Sequence, residues 1–250
     1  MVYFIGAGPG DPDLITVKGK KRLEEADIII YAGSLVNPEL LKYAKESCEV
    51  FNSANMTLEE VISIMERGCR DGKSIVRLHT GDPAIYGAIR EQMDELDRLG
   101  IKYEVIPGVS SFFAAAAALK KELTLPGVSQ TVILTRIEGR TGVPEKESIQ
   151  SLAQHNATMV IFLSIHMIDD LVEKLRYGYT DSTPVAVVYK ASWPDQIILR
   201  GTLDNIVETV KEKGIRKTAL ILVGEFLGND YELSRLYDKA FSHGFRSVKE

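Results

Sequence analysis

The sequence has 250 residues, of which 45% are hydrophobic and 26% charged, and its formal net charge is −5. This composition is typical of a globular protein with a substantial core, and the length allows one large or two small domains. The negative charge excludes a generally basic surface that would recruit nucleic acid. Two cysteines, Cys48 and Cys69, are too few for a disulfide framework or a zinc site, and no metal is expected.

The sequence offers no candidate membrane segment. The longest obvious apolar run covers residues 112–119, well short of a membrane span. The chain opens directly on an apolar stretch, without the basic segment and cleavage site of a signal peptide. We therefore expect a cytoplasmic protein with no membrane partner.

The first 119 residues alternate apolar strands with helical patterns. A strand at 2–5 leads into a turn rich in glycine and proline at 6–12, and helical patterns follow at 14–26, from Pro38 to about Glu46, and at 84–99. Thr57 and Glu60 form a capping box ahead of an amphipathic helix. Further strands are predicted at 28–31, 49–51, 74–78 and 103–106. Five strands alternating with helices predict a parallel sheet.

Three of these strands end in loops rich in Gly, Pro, Ser or Asp, at 6–12, 80–83 and 107–111. Right-handed crossovers place all three loops at the carboxyl edge of the sheet, where ligands bind in such folds. Each loop alone could be a simple turn. Three together favour a binding edge.

The first loop lacks the chemistry of a phosphate site. A P-loop needs Gly-Lys-Ser/Thr after its glycines, and Pro9 and Pro12 have no N–H to donate. In the dinucleotide fingerprint the third glycine position holds Asp11, whose carboxylate would repel a pyrophosphate. Ala32, rather than an acid, follows the second strand. The loop suits a ligand that is not strongly anionic, with a structural turn as the alternative.

The second half predicts a mixed sheet. A linker at 120–130 precedes strands at 131–135, 159–162, 184–189, 197–199 and 219–223, and helices at 146–154, 168–176 and 203–212. The strands at 184–189 and 197–199 form a hairpin whose loop contains Trp193 and Pro194. The predicted fold is α/β, with an N-terminal domain (1–119) built on a five-stranded parallel sheet, a linker (120–130) and a C-terminal mixed domain (131–250).

Four motifs, in their order and spacing, resemble the tetrapyrrole (corrin/porphyrin) methylase family over nearly the whole chain. The resemblance implies an enzyme that uses S-adenosylmethionine, bound in the cleft between the domains, to methylate a tetrapyrrole, and that forms a homodimer. This methyl donor is a sulfonium cation without phosphate, which agrees with the first loop. The motifs are Gly6-Ala7-Gly8-Pro9-Gly10-Asp11-Pro12, Thr80-Gly81-Asp82-Pro83 with Ile85-Tyr86-Gly87, Ile106-Pro107-Gly108-Val109-Ser110-Ser111, and Ala219-Leu220-Ile221-Leu222-Val223-Gly224.

The resemblance, carried over position by position, implies a set of cofactor contacts. Leu163 stands where uroporphyrinogen methylases commonly have methionine, another flexible apolar residue. Asp82 is the one charged member; it could serve the cofactor's amine or ribose, or cap the next helix. The implied set is Pro9, Thr80, Gly81, Asp82, Ile85, Ser110, Ser111, Leu163, Ala191 and Ala219.

Within the family, the segments 31–36 and 134–144 resemble the enzymes that methylate C11 of precorrin-4, or of its cobalt complex, in cobalamin (vitamin B12) biosynthesis; Gly142 stands where proline is expected. Uroporphyrinogen-III methylases carry a carboxylate where this chain has Ala32. Methylation at an already substituted ring carbon has no ring proton to remove, so no catalytic acid or base is assigned.

Two alternative functions remain open from the sequence. One is another ring-carbon methylase, acting for example on uroporphyrinogen-III or precorrin-2 or -3, and the other is a nucleotide-binding oxidoreductase or regulatory module.

The implied substrate carries many carboxylates, so a net-negative protein needs a local basic cluster to bind it. Arg136 and Arg140, flanking Glu138, are the candidates, because a guanidinium binds a carboxylate through two hydrogen bonds. Solvated loop charges are the alternative. Asp11 and Ser34 complete the predicted substrate-binding set.

Overall fold

A computed structural model describes residues 1–33, 35–139, 141–234, 236, 238, 240–242 and 244–246. The chain divides into unit 1, Met1–Ala118 with Lys190–Ile197, and unit 2, Leu119–Tyr189 with Ile198–Glu250. Each unit is built on one five-stranded sheet. Among the described residues we find no helix with the length and apolar character that a membrane span requires.

The sheet of unit 1 is parallel throughout, as predicted, and its strand order is β3-β2-β4-β1-β5. Gly6 at the end of β1 is level with His79 at the end of β4, and Ile5 is level with Ile106 at the end of β5. The loops that follow these three adjacent strands therefore begin side by side. The strands are β1 (Val2–Gly6), β2 (Ile28–Tyr31), β3 (Glu49–Asn52), β4 (Ile75–His79) and β5 (Tyr103–Ile106).

Helices cover both faces of this sheet because apolar side chains alternate along its strands. Ile5 packs in one buried cluster with Leu23 of α1, and Phe4 packs in another with Met65 of α2 and Leu96 of α3. Burying each such side chain stabilises the fold by roughly 1.5–3 kcal/mol. The helices of unit 1 are α1 (Val17–Glu25), α2 (Leu58–Arg70), α3 (Arg90–Arg98) and α4 (Ser111–Leu119).

Local chemistry sets where these helices begin. The predicted capping box of α2 is confirmed, with Thr57 and Glu60 each bonding the other's backbone N–H. The prediction of a helix over 84–99 is wrong in its first part, because α3 begins only at Arg90. Tyr86 and Ala88 have φ of 54° and 49°, which a right-handed helix cannot contain. The segments predicted as helix at 14–26 and 38–46 likewise include 3-10 turns, at Pro12–Leu14 and Pro38–Tyr43.

The sheet of unit 2 is mixed, as predicted, with strand order β6-β7-β10-β8-β9. β6 and β7 run parallel, whereas β10 is antiparallel to both β7 and β8. One large buried cluster joins this sheet to its helices α5 (Ile149–Ala153), α6 (Ile168–Leu175) and α7 (Ile206–Glu212). The strands are β6 (Val132–Arg136), β7 (Thr158–Phe162), β8 (Pro184–Tyr189), β9 (Ile197–Thr202) and β10 (Ala219–Val223).

Candidate functional site

The three loops at the carboxyl edge of the first sheet are in backbone contact through one glycine from each. A Cβ built on Gly6 would lie 2.5 Å from the Cα of Gly108 and 2.6 Å from the carbonyl oxygen of Gly81. A Cβ on Gly108 would overlap the same carbonyl oxygen. Only glycine permits such close approach of main chains. The sequence placed these loops at one edge, and the structure brings them into contact there.

Hydrogen bonds join the second loop to the other two. Gly8 and Gly81 exchange both backbone bonds, with N···O distances of 3.2 and 2.8 Å. Asp82 then reaches the third loop, where its Oδ2 accepts the N–H of Gly108 at 2.8 Å. Its Oδ1 accepts the N–H of Ala84 at 2.8 Å. The carboxylate therefore both closes the local turn and ties two loops together.

A fourth segment, Lys190–Ile197, contacts the first loop, and we name it the clamp loop. It connects β8 to β9 and belongs to unit 1. The indole N–H of Trp193 donates to the carbonyl of Pro9 at 3.0 Å, and the N–H of Asp11 donates to Ser192 Oγ at 3.0 Å. Between them, the carbonyl of Gly10 accepts the side-chain amide of Asn37 at 2.8 Å. Three successive residues of the first loop are thus held from outside it.

Sequence reasoning missed the roles of Asn37, Ser192 and Trp193. Trp193 was placed in a hairpin loop without a function. One signal was available, because it is the single tryptophan of the chain and stands in a loop rather than in a predicted core strand. Asn37 carried the weaker signal of an Asn before Pro38, which describes a turn equally well.

The chemistry of these loops does not fit a phosphate group but fits a sulfonium compound. Four backbone N–H groups of these loops are already bonded and are not available to a phosphate: those of Gly8, Gly81, Asp11 and Gly108 have partners within unit 1. No Lys or Arg occurs at 6–12, 80–83 or 107–111, and the charged residues there are Asp11 and Asp82. A cation without phosphate is compatible with such a surface, because acidic side chains favour positive charge.

The other predicted cofactor residues of unit 1 lie on the same loops. Thr80 donates its hydroxyl to the carbonyl of Leu35 at 2.8 Å, which ties the second loop to the chain after β2. Pro9 and Ser110 are buried, Ser111 is half-buried at the start of α4, and Ile85 is half-buried in the turn before α3. Ala191, in the clamp loop, is buried.

The predicted residues of unit 2 lie at one edge of its sheet. Ala219 pairs with Tyr189, two residues before Ala191. Ile221 pairs with Ile161, and continuing that antiparallel register brings Leu163 opposite Ala219. Ser164, which the sequence reasoning missed, holds the turn after β7: its hydroxyl donates to the carbonyl of Phe162 and accepts the N–H of Ile137 at 2.9 Å.

Unusual backbone conformations concentrate at these positions. Eight non-glycine residues in the described part of the chain have positive φ. Leu163 is one of them, with φ of 55°, and four others adjoin a predicted cofactor contact: Tyr86 beside Ile85, Lys190 and Ser192 on either side of Ala191, and Thr218 before Ala219. Such conformations cost about 1–3 kcal/mol each and cluster at functional sites. The distribution of these conformations therefore indicates a functional site without reference to any sequence motif.

Arg136 lies at the same edge of unit 2, in register with Phe162. Its guanidinium donates to the carbonyls of Ile137, Thr141 and Gly142 at 3.3, 3.1 and 2.9 Å, so it organises the loop that follows β6. Glu138, which the sequence places between the two arginines, pairs instead with Lys174, whose hydrogen bond lowers the pKa of this carboxyl. Arg140 and Ser34, both predicted to bind substrate, lie outside the described residues.

Asp11, the remaining member of the predicted substrate set, caps the short turn after the first loop. Its Oδ1 accepts the N–H of Asp13 at 2.9 Å. The side chain is half-buried.

Beneath the second loop, β4 carries two buried polar side chains. Arg77 bonds the side chain of Gln92 at 3.0 Å and the carbonyl of Ile30 at 3.2 Å, and burial lowers its pKa to about 10. His79 is stacked on Phe4, and its Nε2 is buried with no hydrogen-bond partner among the described residues. Burial, with a smaller effect of the Arg77 charge, lowers the pKa of His79 to about 3. This histidine is therefore neutral at physiological pH.

The sequence matches one family model, described as tetrapyrrole (corrin/porphyrin) methylases, over residues 1–207. The cobalt-precorrin-4 C(11)-methyltransferase of Methanocaldococcus jannaschii is 62% identical over 247 residues, which cover 98% of this chain and 95% of that protein. Both matches extend through all three glycine-containing loops and the clamp loop.

Two solved structures of methyltransferases are also similar to this chain. The X-ray structure of a cobalamin biosynthetic enzyme, a cobalt precorrin-4 methyltransferase, has a TM-score of 0.89 and 51% sequence identity, covering 91% of this chain and 96% of that chain. The uroporphyrin-III C-methyltransferase of Thermus thermophilus, solved in complex with S-adenosyl homocysteine, has a TM-score of 0.76 and 29% identity, covering 91% and 93%.

Proposed function

Because the chain belongs to the tetrapyrrole (corrin/porphyrin) methylase family, we propose that it transfers a methyl group from S-adenosylmethionine to C11 of precorrin-4 or cobalt-precorrin-4 in cobalamin biosynthesis. The observation that carries this proposal is the similarity, over almost the full length of both chains, to a relative named for this reaction. The segments 31–36 and 134–144, by which the sequence resembled this branch of the family, point to the same carbon.

The loops of unit 1 support the proposed methyl donor. When bound, S-adenosylmethionine supplies an electrophilic methyl group on a positively charged sulfur. The loops offer buried backbone, two carboxylates and no basic side chain, and four of their N–H groups, those of Gly8, Asp11, Gly81 and Gly108, are already bonded. The residues proposed to hold the donor are Pro9, Thr80, Gly81, Asp82, Ile85, Ser110, Ser111, Leu163, Ala191 and Ala219.

The protein's contribution to the reaction is alignment. Holding two reactants in the attack geometry is worth roughly 7–11 kcal/mol of the barrier. Rigid loops are suited to this role, and the first loop is bonded from both sides, by Gly81 and by the clamp loop. We assign no general base. Ala32 follows β2 in place of a carboxylate, and His79, at the end of β4, is a weak base because burial lowers its pKa to about 3.

We further propose that Arg136, Arg140, Asp11 and Ser34 contact the tetrapyrrole. Arg136 supports this assignment through its position, at the same sheet edge as Leu163. Three of its bonds go to loop carbonyls, which leaves two of the five guanidinium N–H groups for a substrate carboxylate. A homodimeric, cytoplasmic enzyme completes the proposal, on the resemblance to the family; size-exclusion chromatography with light scattering tests the dimer.

The experiment that tests the function is incubation of the purified protein with isotope-labelled S-adenosylmethionine and either precorrin-4 or cobalt-precorrin-4. We expect one labelled methyl group per product by mass spectrometry and its location at C11 by NMR. Methylation at another ring carbon would identify a different member of the family. Binding of NADH without binding of S-adenosylhomocysteine, measured by calorimetry, would contradict the methyltransferase itself.

A further inference from the structure

We propose that the clamp loop is a positioning element for the methyl transfer, and that Trp193 and Ser192 are positioning residues that fix the first loop in its working shape. The inference rests on the proposed function for its catalytic consequence. The contacts themselves lie within unit 1 and do not depend on it.

The first observation is the continuity of the contact. Trp193 holds the carbonyl of Pro9 and Ser192 holds the N–H of Asp11, across separations of 184 and 181 residues. With Asn37 on the carbonyl of Gly10, these bonds restrain three residues in succession. A loop bonded at each residue has little freedom to change its backbone angles. The ordering entropy of the loop is therefore already lost before any ligand binds.

The second observation is steric. A Cβ on Gly10 would overlap Cδ1 and Nε1 of the Trp193 ring, so the indole lies directly against the main chain of the first loop. Lys190 places its ammonium 5.3 Å from the centre of the same ring. The ring is thus packed between the first loop and the clamp loop's own cation.

The third observation is backbone strain within the clamp loop. Lys190 and Ser192 have φ of 47° and 70°, on either side of the buried Ala191. The N–H of Ser192 donates to Oε1 of Gln196 at 2.8 Å, which stabilises the turn from inside. Strained backbone at two of three successive residues persists only where the surrounding contacts determine the conformation.

These observations connect two proposed cofactor contacts. Pro9 accepts a hydrogen bond from Trp193, and Ala191 is two residues away from that same tryptophan. Loosening the clamp therefore changes the position of both at once. A substitution that removes only the clamp bonds is expected to weaken donor binding or slow transfer, without removing any group that touches the reactants.

The test compares Trp193→Phe, which deletes the indole N–H and keeps an aromatic ring, with Ser192→Ala, which deletes the hydroxyl. Matched controls are Tyr177→Phe and Ser182→Ala, at exposed positions of unit 2. For each clamp variant we expect about fivefold weaker binding of S-adenosylhomocysteine by calorimetry, since one hydrogen bond contributes about 1 kcal/mol. We expect a lower kcat/KM and faster hydrogen exchange in the peptide covering 8–13, whereas the controls match the wild type.

Trp193 also supplies a direct signal, because it is the only tryptophan in the chain. We expect S-adenosylhomocysteine to change the wild-type tryptophan emission. Lower thermal stability in both clamp variants, with unchanged ligand affinity, unchanged kcat/KM and unchanged exchange at 8–13, would overturn the proposal. Failure of the proposed function is separate: in that case wild-type protein transfers no methyl group, while the exchange difference between wild type and clamp variants persists.

Discussion

Asp82 and Gly108 are joined by a hydrogen bond of 2.8 Å between a carboxylate oxygen and a backbone N–H, 26 residues apart. The sequence allowed Asp82 either a contact with the cofactor or a capping role. The structure adds a third function, because Oδ2 holds the third loop while Oδ1 closes the turn at Ala84. Asp82 therefore sets the distance between two of the loops that carry proposed cofactor contacts.

We expect Asp82→Ala to weaken binding of S-adenosylhomocysteine and to lower the free energy of unfolding by about 1.5–3 kcal/mol for each of the two lost bonds to the charged acceptor. Calorimetry and urea denaturation measure the two effects. Asp82→Asn keeps one acceptor oxygen and is expected to be intermediate. Asp94→Ala, which removes an exposed carboxylate paired with Arg90, is the control. A folded Asp82→Ala protein with wild-type affinity would remove Asp82 from the proposed site.

Gly8 and Gly72 form a matched pair for testing the first loop. Their φ values are +79° and +73°, but a Cβ on Gly8 would lie 2.9 Å from the carbonyl oxygen of Leu14, whereas a Cβ on Gly72 would have nothing within 4 Å. We expect Gly72→Ala to cost only the strain of a left-handed alanine, about 1 kcal/mol. Gly8→Ala should cost more and abolish detectable binding of S-adenosylhomocysteine. Equal effects on stability and binding would show that crowding at Gly8 has no role.

Arg136→Ala is expected to raise the KM for the tetrapyrrole about tenfold while leaving the affinity for S-adenosylhomocysteine unchanged, because a charged hydrogen bond contributes about 1.5–3 kcal/mol. Steady-state kinetics and calorimetry separate the two. Arg136→Lys should recover only part of the loss, since lysine keeps the charge but not the planar set of donors. Higher salt should raise the wild-type KM in the same direction. If the affinity for S-adenosylhomocysteine falls as much as the KM for the tetrapyrrole rises, the loop after β6 contacts the cofactor and the substrate assignment is wrong.

His79 predicts a dependence of stability on pH. Its pKa is about 3 in the folded protein, against 6.5 for an unperturbed histidine. Between these values the unfolded chain binds a proton that the folded chain does not, so stability falls as the pH decreases below about 6.5, by up to about 1.4 kcal/mol per pH unit. His79→Gln should remove this slope between pH 6.5 and 5 in urea denaturation, and His166→Gln, at an exposed histidine, is the control. An unchanged slope in His79→Gln would contradict the burial of a neutral imidazole.

The strands and the loops that follow them could be predicted from the sequence because their signals are local. The pattern around β8 and β10 predicted both strands with the bounds that the structure has. The placement of the loops at 6–12, 80–83 and 107–111 at one edge of the sheet followed from the alternation of strands and helices with right-handed crossovers. The predicted start of α3 was wrong because the residue types at 84–89 suit a helix, whereas Tyr86 and Ala88 have positive φ, which a right-handed helix cannot contain.

What the sequence could not give is the set of long-range contacts. The bond from Trp193 to Pro9 joins residues 184 apart, and no periodicity or turn rule relates them. The same holds for Ser164, whose partner Ile137 is 27 residues away. The guanidinium of Arg136 was predicted to bind a substrate carboxylate, with a solvated loop charge as the alternative. Its three bonds to nearby carbonyls depend on the path of the loop rather than on the residue types.

The close contact of Gly6, Gly81 and Gly108 restricts which amino-acid substitutions this protein can accept during evolution. Gly6 and Gly108 share one small volume next to the carbonyl oxygen of Gly81, so an added methyl group at either of them displaces the same stretch of main chain. Two such changes together should cost less than the sum of the single changes, since the first displacement already makes room for the second. Gly6 and Gly108 are therefore expected to remain glycine together in evolution, because a substitution at either one is costly while the other and the carbonyl of Gly81 keep their positions.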